Sequence, residues 1–436
     1  MVEDHTSGRM PETDPVTAAD ADPGRAHPDR DTALPHPAPG AGALAGIRVI
    51  EMGSLIAGPF CGQLLADHGA EVIKVEPPGV GDPMREWGRE KAGGKSLWWP
   101  VIARNKKSIT LDLRRPEGQE LARELIRGAD VLLENFRPGT MERWGLGYEE
   151  LAKDNPGLVM VRVSGFGQTG PYASRPGYGA IAEAMGGLRY VVGNPDRPPS
   201  RVGISIGDSL GATFATLGAL LALRVRDHTG VGQVVDAAIY EAVLALMESL
   251  VPEYALTGFI RERSGAILPN VAPSNVYPTA DGGMVLIAAN QDTVFRRLAE
   301  AMGQPELADD PRYATHTARG QHQAELDERI AAWSQTLTSA ELTETLLTHA
   351  VPTGKIYRAP EMLTDPHFQA RQTLVRAADP VLGELPMQNV FPRLTRTPGG
   401  IRHTGPALGE HNDEVFIDLL GLEAHRYAQL RAAGVI

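Results

Sequence analysis

Residues 45–76 read AGIRVIEMGSLIAGPFCGQLLADHGAEVIKVE, and the interpretation of this stretch decides the fold. The segment AGIRVIEMG (45–53) has the apolar, β-branched run of a buried strand. PFCGQLLADHG (59–69) is helical in composition, with Pro59 near its start and Gly69 at its end. AEVIKVE (70–76) is a second strand. A strand, a helix and a strand in succession make the unit of a parallel sheet, because parallel neighbours need a long crossover between them.

The same alternation continues outward. KSITLDL (107–113), DVLLENF (130–136) and LVMVRVSGFG (158–167) read as strands, and PEGQELARELIRGA (116–129) as a helix with proline and acids at its start. The pattern predicts an α/β chain with an open, doubly wound, Rossmann-like parallel sheet. Right-handed crossovers would set the carboxyl ends of all its strands on one rim, where ligands bind. A long helical region covers 211–250. MVLIAANQDTVFRRLAEAMG (284–303) reads as strand then helix, residues 325–351 as helical, and 352–371 as beginning with a strand.

The expected organisation is a disordered extension over 1–40, a large α/β domain over 41–250 and a linker over 251–270. A smaller α/β domain follows over 271–365. Residues 366–436 then return to the large domain, with LGEHNDEVFIDLLG (408–421) as an amphipathic helix.

The 436 residues carry 42 basic and 54 acidic side chains, a net charge of -12, which argues against coating nucleic acid or an anionic membrane. One cysteine, Cys61, excludes an internal disulfide framework and a multi-cysteine zinc site, and no histidine spacing suggests a metal. Cys61 lies on an apolar helix and reads as core. No apolar run reaches the ~20 residues of a membrane span, the longest being Ala212–Leu223. No targeting segment is evident at the N-terminus, so the expected location is the cytoplasm.

GFGQTG (165–170) matches a dinucleotide fingerprint, but PYASRPG follows where a helix would have to open, so a turn or a loop over another ligand fits better. Arg104, Lys106 and Lys107 precede one strand, Arg137 and Arg143 follow another, and Arg175 and Arg201 flank the glycine-rich region. Such cations suit a polyphosphate ligand, or equally a solvated face. In RVGISIGDSLGATFATLGALLALR (201–224), Asp208 lies between an alternating run and a very apolar helix. It serves there as a helix N-cap, as a nucleophile kept accessible by Gly207 and Gly211, or as both.

With IAGPFCGQLLADHGAEVIKVE, ENFRPG, SGFGQTGPYASRPGYG, GISIGDS, DHTGVGQVVDAAIYEAV and PSNVYPTADGG, the chain resembles the class III CoA-transferases over residues 44–421. The resemblance implies two interlocked α/β chains and an aspartate nucleophile at the position of Asp208. It also implies an acyl-CoA thioester as substrate with no permanently bound cofactor. Asn135, Phe136 and Arg143 match CoA-contacting positions, Tyr178 a catalytic position beside the nucleophile and thioester, and Arg104, Lys107, Leu111 and Ile56 further CoA contacts.

Ile56 stands where formyl-CoA transferases carry glutamine, which argues against a formyl-CoA/oxalate pair. Gly179 stands where many relatives carry an acid. The texture of 175–209 is most similar to members that use succinyl-CoA with malate or citramalate. The expected acceptor is therefore a C4–C5 dicarboxylate, with Arg175, Arg189 or Arg201 available for its second carboxylate. A homodimer, or a pair with a homologous subunit, is implied. The alternatives are a 2-methylacyl-CoA racemase, disfavoured because Tyr178 replaces the racemase histidine and a phenol of pKa ~10 is a poor base, and a non-catalytic CoA-binding module.

Overall fold

In the computed structural model, which describes residues 42–436, the central sheet follows from the alternation within its strands. The expectation for residues 1–40 lies outside the described residues. Six strands pair in one sheet: β1 (Arg48–Glu51), β2 (Glu71–Glu76), β3 (Lys106–Thr110), β4 (Val131–Glu134), β5 (Val159–Ser164) and β6 (Val234–Ala238). Their order is β3-β2-β1-β4-β5-β6, and every pairing is parallel.

Successive side chains of a strand point to opposite faces. Ile50, Ile73, Ile109, Leu132 and Met160 share one core with Leu121, Leu125 and Ile126 of helix α2 (Pro116–Arg127). Val49, Val72, Val131, Leu133 and Val161 share the other with helix α1 (Ala57–Asp67) and the alanines of a later helix. Helices cover both faces, so the sheet is doubly wound as expected. The strand order reverses between β1 and β4, and the loops leaving their carboxyl ends diverge there to open a crevice.

The strands also carry buried charges that the apolar reading did not resolve. Lys74 Nζ lies 2.9 Å from Glu51 and 2.9 Å from Asp82, and Lys106 Nζ lies 2.7 Å from Glu51. Burial opposes the charge on Lys74, yet Glu51, Asp82 and Glu76 together hold its ammonium above the ordinary lysine value. This network shapes the loop after β1. Lys74 Nζ donates to the Gly53 carbonyl at 2.8 Å, and the Leu55 amide donates to Asp82 at 3.2 Å.

The expected helical region 211–250 is divided. Helix α4 (Ile206–Thr229) begins earlier and ends at Gly230, whose φ of 73° suits glycine. The β6 strand and helix α5 (Ile239–Leu244) follow it. With 24 residues and a mean hydropathy of 1.5 over its most apolar part, α4 is long and apolar enough to cross a membrane by length and composition. That corrects the sequence reading, which found no such run. Its buried residues are nearly all small, Gly207, Gly211, Ala212, Ala215, Ala219 and Ala222 among them, and they let the helix lie close against the sheet. A side chain at Gly218 would put Cβ 2.5 Å from Val235 of β6.

A second core surrounds Phe295, Leu298, Leu326 and Leu342. It packs helices on a three-stranded antiparallel sheet in which Met284–Ala288 pairs with Ser274–Pro278 on one side and Thr353–Lys355 on the other. The helical stretch 325–351 is two helices, Gln323–Ser334 and Ser339–Thr348, the second opened by a capping box of Thr338 and Glu341. The segment expected as an amphipathic helix over 408–421 forms only a short π-helical turn, Glu414–Leu419, whose Val415 and Phe416 join the core around α2.

Candidate active site

The crevice at the β1/β4 reversal is a cavity of about 660 Å³. Among the stretches of chain that line it are the loop after β1 with Ile56, the loop after β4 with Asn135 and Phe136, the end of β5, residues 175–180, and the start of α4 with Ser205 and Asp208. Asn135 joins the first two. Its Oδ1 accepts from the Ser54 amide at 2.9 Å and its Nδ2 donates to the Ser54 carbonyl at 2.8 Å. Gly53 is required beside it, since a Cβ there would lie 2.9 Å from Asn135 Oδ1. The Phe136 amide donates to Glu134 at 2.7 Å, and its ring stands edge-on to Trp144 at 5.1 Å.

Asp208 occupies the first turn of α4, and Ser205 holds the N-cap position without a side-chain capping bond. The capping role considered for Asp208 is thereby corrected. Burial pushes the Asp208 carboxyl up to about 6, and the charge of Glu183 adds to the rise, while the Gly179 amide and Arg201 pull the other way. Helix α3 (Gly179–Met185) approaches from the side, with exposed Tyr178 at its N-cap and Gly179 against the carboxylate. A Cβ on Gly179 would fall 2.4–2.8 Å from the Asp208 carboxylate atoms, so no acid could stand at 179 without displacing Asp208.

The cavity thus gathers Asp208, Tyr178, Ile56, Asn135 and Phe136 from the expected set, and it does not gather the others. Arg104 is 2% exposed, its Nη2 2.6 Å from Asp67 and its Nη1 2.7 Å from the Gln388 carbonyl. It borders a second, larger cavity instead, of about 830 Å³. Lys107 lies at the amino end of β3, away from the rim, paired with Glu71 at 2.5 Å and Glu414 at 2.7 Å. Leu111 is a core residue, 1% exposed, packed with Ile109 and Leu121. Arg143 is exposed on a short helix beyond Asn135 and donates to Thr140 at 2.9 Å without lining the cavity.

Removing one partner of a buried ion pair leaves the other charge stranded. Arg104→Ala is therefore expected to destabilise the fold by about 3–5 kcal/mol, as urea unfolding would read.

Among the described residues, three cations do reach the cavity: Arg137, Arg175 and Arg201. The Arg175 guanidinium lies 3.6 Å over the Tyr172 ring. Arg189 does not join them, because Glu183 holds it at 2.7 Å. Glu183 was missed by sequence reasoning. Its signal was a lone acid among the small residues of GAIAEAMGG (179–187). Cys61 is fully buried, with burial pushing its thiol up to about 12, and it belongs to the core as expected. The GFGQTG segment opens no helix. The Gly167 amide donates to Ser164 at 3.0 Å and the Gln168 amide to Asp236 at 2.9 Å, which closes it as a turn on β5 and β6.

Comparison with known proteins agrees with this arrangement. The family model for CoA-transferase family III matches residues 44–412. The succinyl-CoA–D-citramalate CoA-transferase of Chloroflexus aurantiacus is 66% identical over 390 residues, which cover 89% of this chain and 97% of the relative. The beta subunit of the succinyl-CoA–L-malate CoA-transferase of the same organism is 44% identical, covering 90% of this chain and 98% of the relative. The crystal structure of a CaiB/BaiF family protein from Brucella suis superposes with a TM-score of 0.77 at 33% identity, over 87% of this chain and all of that one.

Proposed function

The chain belongs to CoA-transferase family III and is a CoA-transferase, and from that premise we propose that it carries CoA from succinyl-CoA to a C4–C5 dicarboxylate or hydroxydicarboxylate through covalent intermediates on Asp208. The observation that carries the proposal is the position of Asp208: a half-buried carboxylate in the first turn of α4, opening on a cavity beside Tyr178 and Asn135.

In this reading an Asp208 oxygen attacks the succinyl thioester carbonyl. The C–S bond breaks, leaving a succinyl–aspartyl anhydride and CoA thiolate. The thiolate attacks the aspartyl carbonyl carbon, the anhydride C–O bond breaks and succinate departs, leaving an aspartyl–CoA thioester. The acceptor carboxylate then attacks the same carbon and expels the thiolate. The thiolate takes the acceptor acyl group from the second anhydride, and the Asp208 carboxylate is regenerated. Each intermediate is an activated acyl group, so the steps stay near thermoneutral, and each would hydrolyse if water entered. The apolar Ile56 and Phe136 in the cavity wall support that exclusion.

The donor and acceptor class is supported by the names of the relatives described above and by the cations of the cavity. Incubation with succinyl-CoA and hydroxylamine, followed by peptide mapping, should place a hydroxamate on Asp208. A panel of acids should show exchange with dicarboxylates and not with bulky monocarboxylates. With Arg189 committed to Glu183, the second carboxylate of the acceptor falls to Arg201 and Arg175. A charge-assisted bond contributes about 1.5–3 kcal/mol. Arg201→Gln is therefore expected to raise KM for dicarboxylates by roughly 10–100-fold and to leave KM for a small monocarboxylate nearly unchanged, in steady-state assays with each acceptor.

Two interlocked chains belong to the same proposal. Leu217, Leu221, Leu256 and Phe259 expose large apolar surface on α4 and in the segment after α5, which a second chain would cover.

A further inference from the structure

Glu183 is 1% exposed and is not required by any step of the transfer. Four residues after Gly179, it lies on the face of α3 that meets the start of α4. Its Oε1 accepts from the Gly207 amide at 3.5 Å, and a Cβ on Gly207 would lie 3.1 Å from Glu183 Cγ. Its Oε2 accepts from Arg189 Nη2 at 2.7 Å. The acid is thus clamped between a counter-ion on one side and the residue preceding Asp208 on the other. The charged groups that bear on Asp208 are Glu183 from α3 and Arg201 from the loop before α4. The start of α1 and α5 present Ala57 and Ile239.

We propose that Glu183, anchored by Arg189, is a positioning residue for Asp208 that holds the first turn of α4 in place and disfavours the free carboxylate relative to its neutral acylated forms. This rests on the reading of Asp208 as the nucleophile. The physical argument is that two like charges in a poorly solvated site repel. Protonation relieves that repulsion, and so does acylation, because the anhydride and the thioester on Asp208 carry no charge. A fixed acid beside the nucleophile therefore makes each covalent intermediate easier to reach from the resting enzyme. Arg189 anchors the acid through Oε2, while Oε1 stays on the amide of Gly207, the residue before Asp208.

Glu183→Gln preserves the shape and removes the charge. The expected result is a roughly tenfold lower kcat, the equivalent of one unit of pKa, together with two readouts that a purely structural role would not move. The acid limb of kcat/KM shifts to lower pH, and the fraction of enzyme trapped by hydroxylamine at saturating succinyl-CoA falls in proportion to kcat. Arg189→Gln, which frees the acid from its counter-ion, shifts the acid limb the opposite way, and it decides the matter if the first variant does not fold. An unmoved acid limb and unmoved trapping in a folded variant would overturn the proposal. If Asp208→Asn is inactive in the same assay, only the role of Glu183 has failed; if it is active, the nucleophile has been misassigned as well.

Discussion

Asp208→Asn is expected to lower CoA exchange by at least about 10³-fold and, at the same time, to make the protein more stable above pH 6. The first effect follows from the chemistry, because an amide oxygen cannot take the acyl group and be regenerated as a carboxylate. The second follows from the electrostatics. The folded-state carboxyl titrates at about 6, above its ordinary value of 3.8, chiefly because it is buried and next because Glu183 is near. Between those two values the folded protein holds a proton that the unfolded chain has released, so stability falls as pH rises through that window and stays lowered above it. Asparagine carries no charge and escapes the penalty. Thermal unfolding should show the variant melting above wild type at pH 8, with little difference at pH 4. Retained exchange would remove the covalent route; lost exchange with a lowered melting point at pH 8 would mean that the substitution had damaged the fold instead.

The second large effect is expected at Gly179. A methyl group there would sit 2.4 Å from Asp208 Oδ2, which is far inside contact distance. Relief is structurally cheap, because the clashing atoms are the end of a side chain. It is chemically expensive, because that side chain is the proposed nucleophile. A displacement of about 1 Å at a reacting atom costs on the order of 10²-fold in rate. Gly179→Ala should therefore lose about two orders of magnitude in kcat while its melting temperature stays within a few degrees of wild type. A drop in stability that matched the drop in rate would show that the backbone, not Asp208, had moved.

The sheet could be read from sequence because Val49/Ile50, Val72/Ile73 and Leu132/Leu133 place one residue in each of two cores, a local property of every strand. The β6 strand could not. Its VVDAA is half-exposed and runs straight into an apolar helix, so nothing local separates the two. The cations show the same limit. Arg104 and Lys107 look like a phosphate-binding cluster in a linear chain, but their partners Asp67 and Glu71 lie more than thirty residues earlier and become neighbours only when β2, β3 and α1 assemble. Asp208, Tyr178 and Asn135 were legible through ordered motifs carrying a family resemblance. Glu183 was not, because its role depends on α3 crossing the start of α4, which no spacing within 179–208 reveals.

The small-residue flank of α4 sets where this protein tolerates change. Gly211 and Gly218 sit so near Ile239 and Val235, and the alanines beside them are so deeply buried, that an added methylene has nowhere to go except by pushing the helix outward, and Asp208 with it. Directed-evolution libraries aimed at new acids would therefore find almost no survivors along that flank. Diversity is better spent on the loops at 54–56, 173–178 and 201–204, which shape what enters the cavity without carrying the reacting atom.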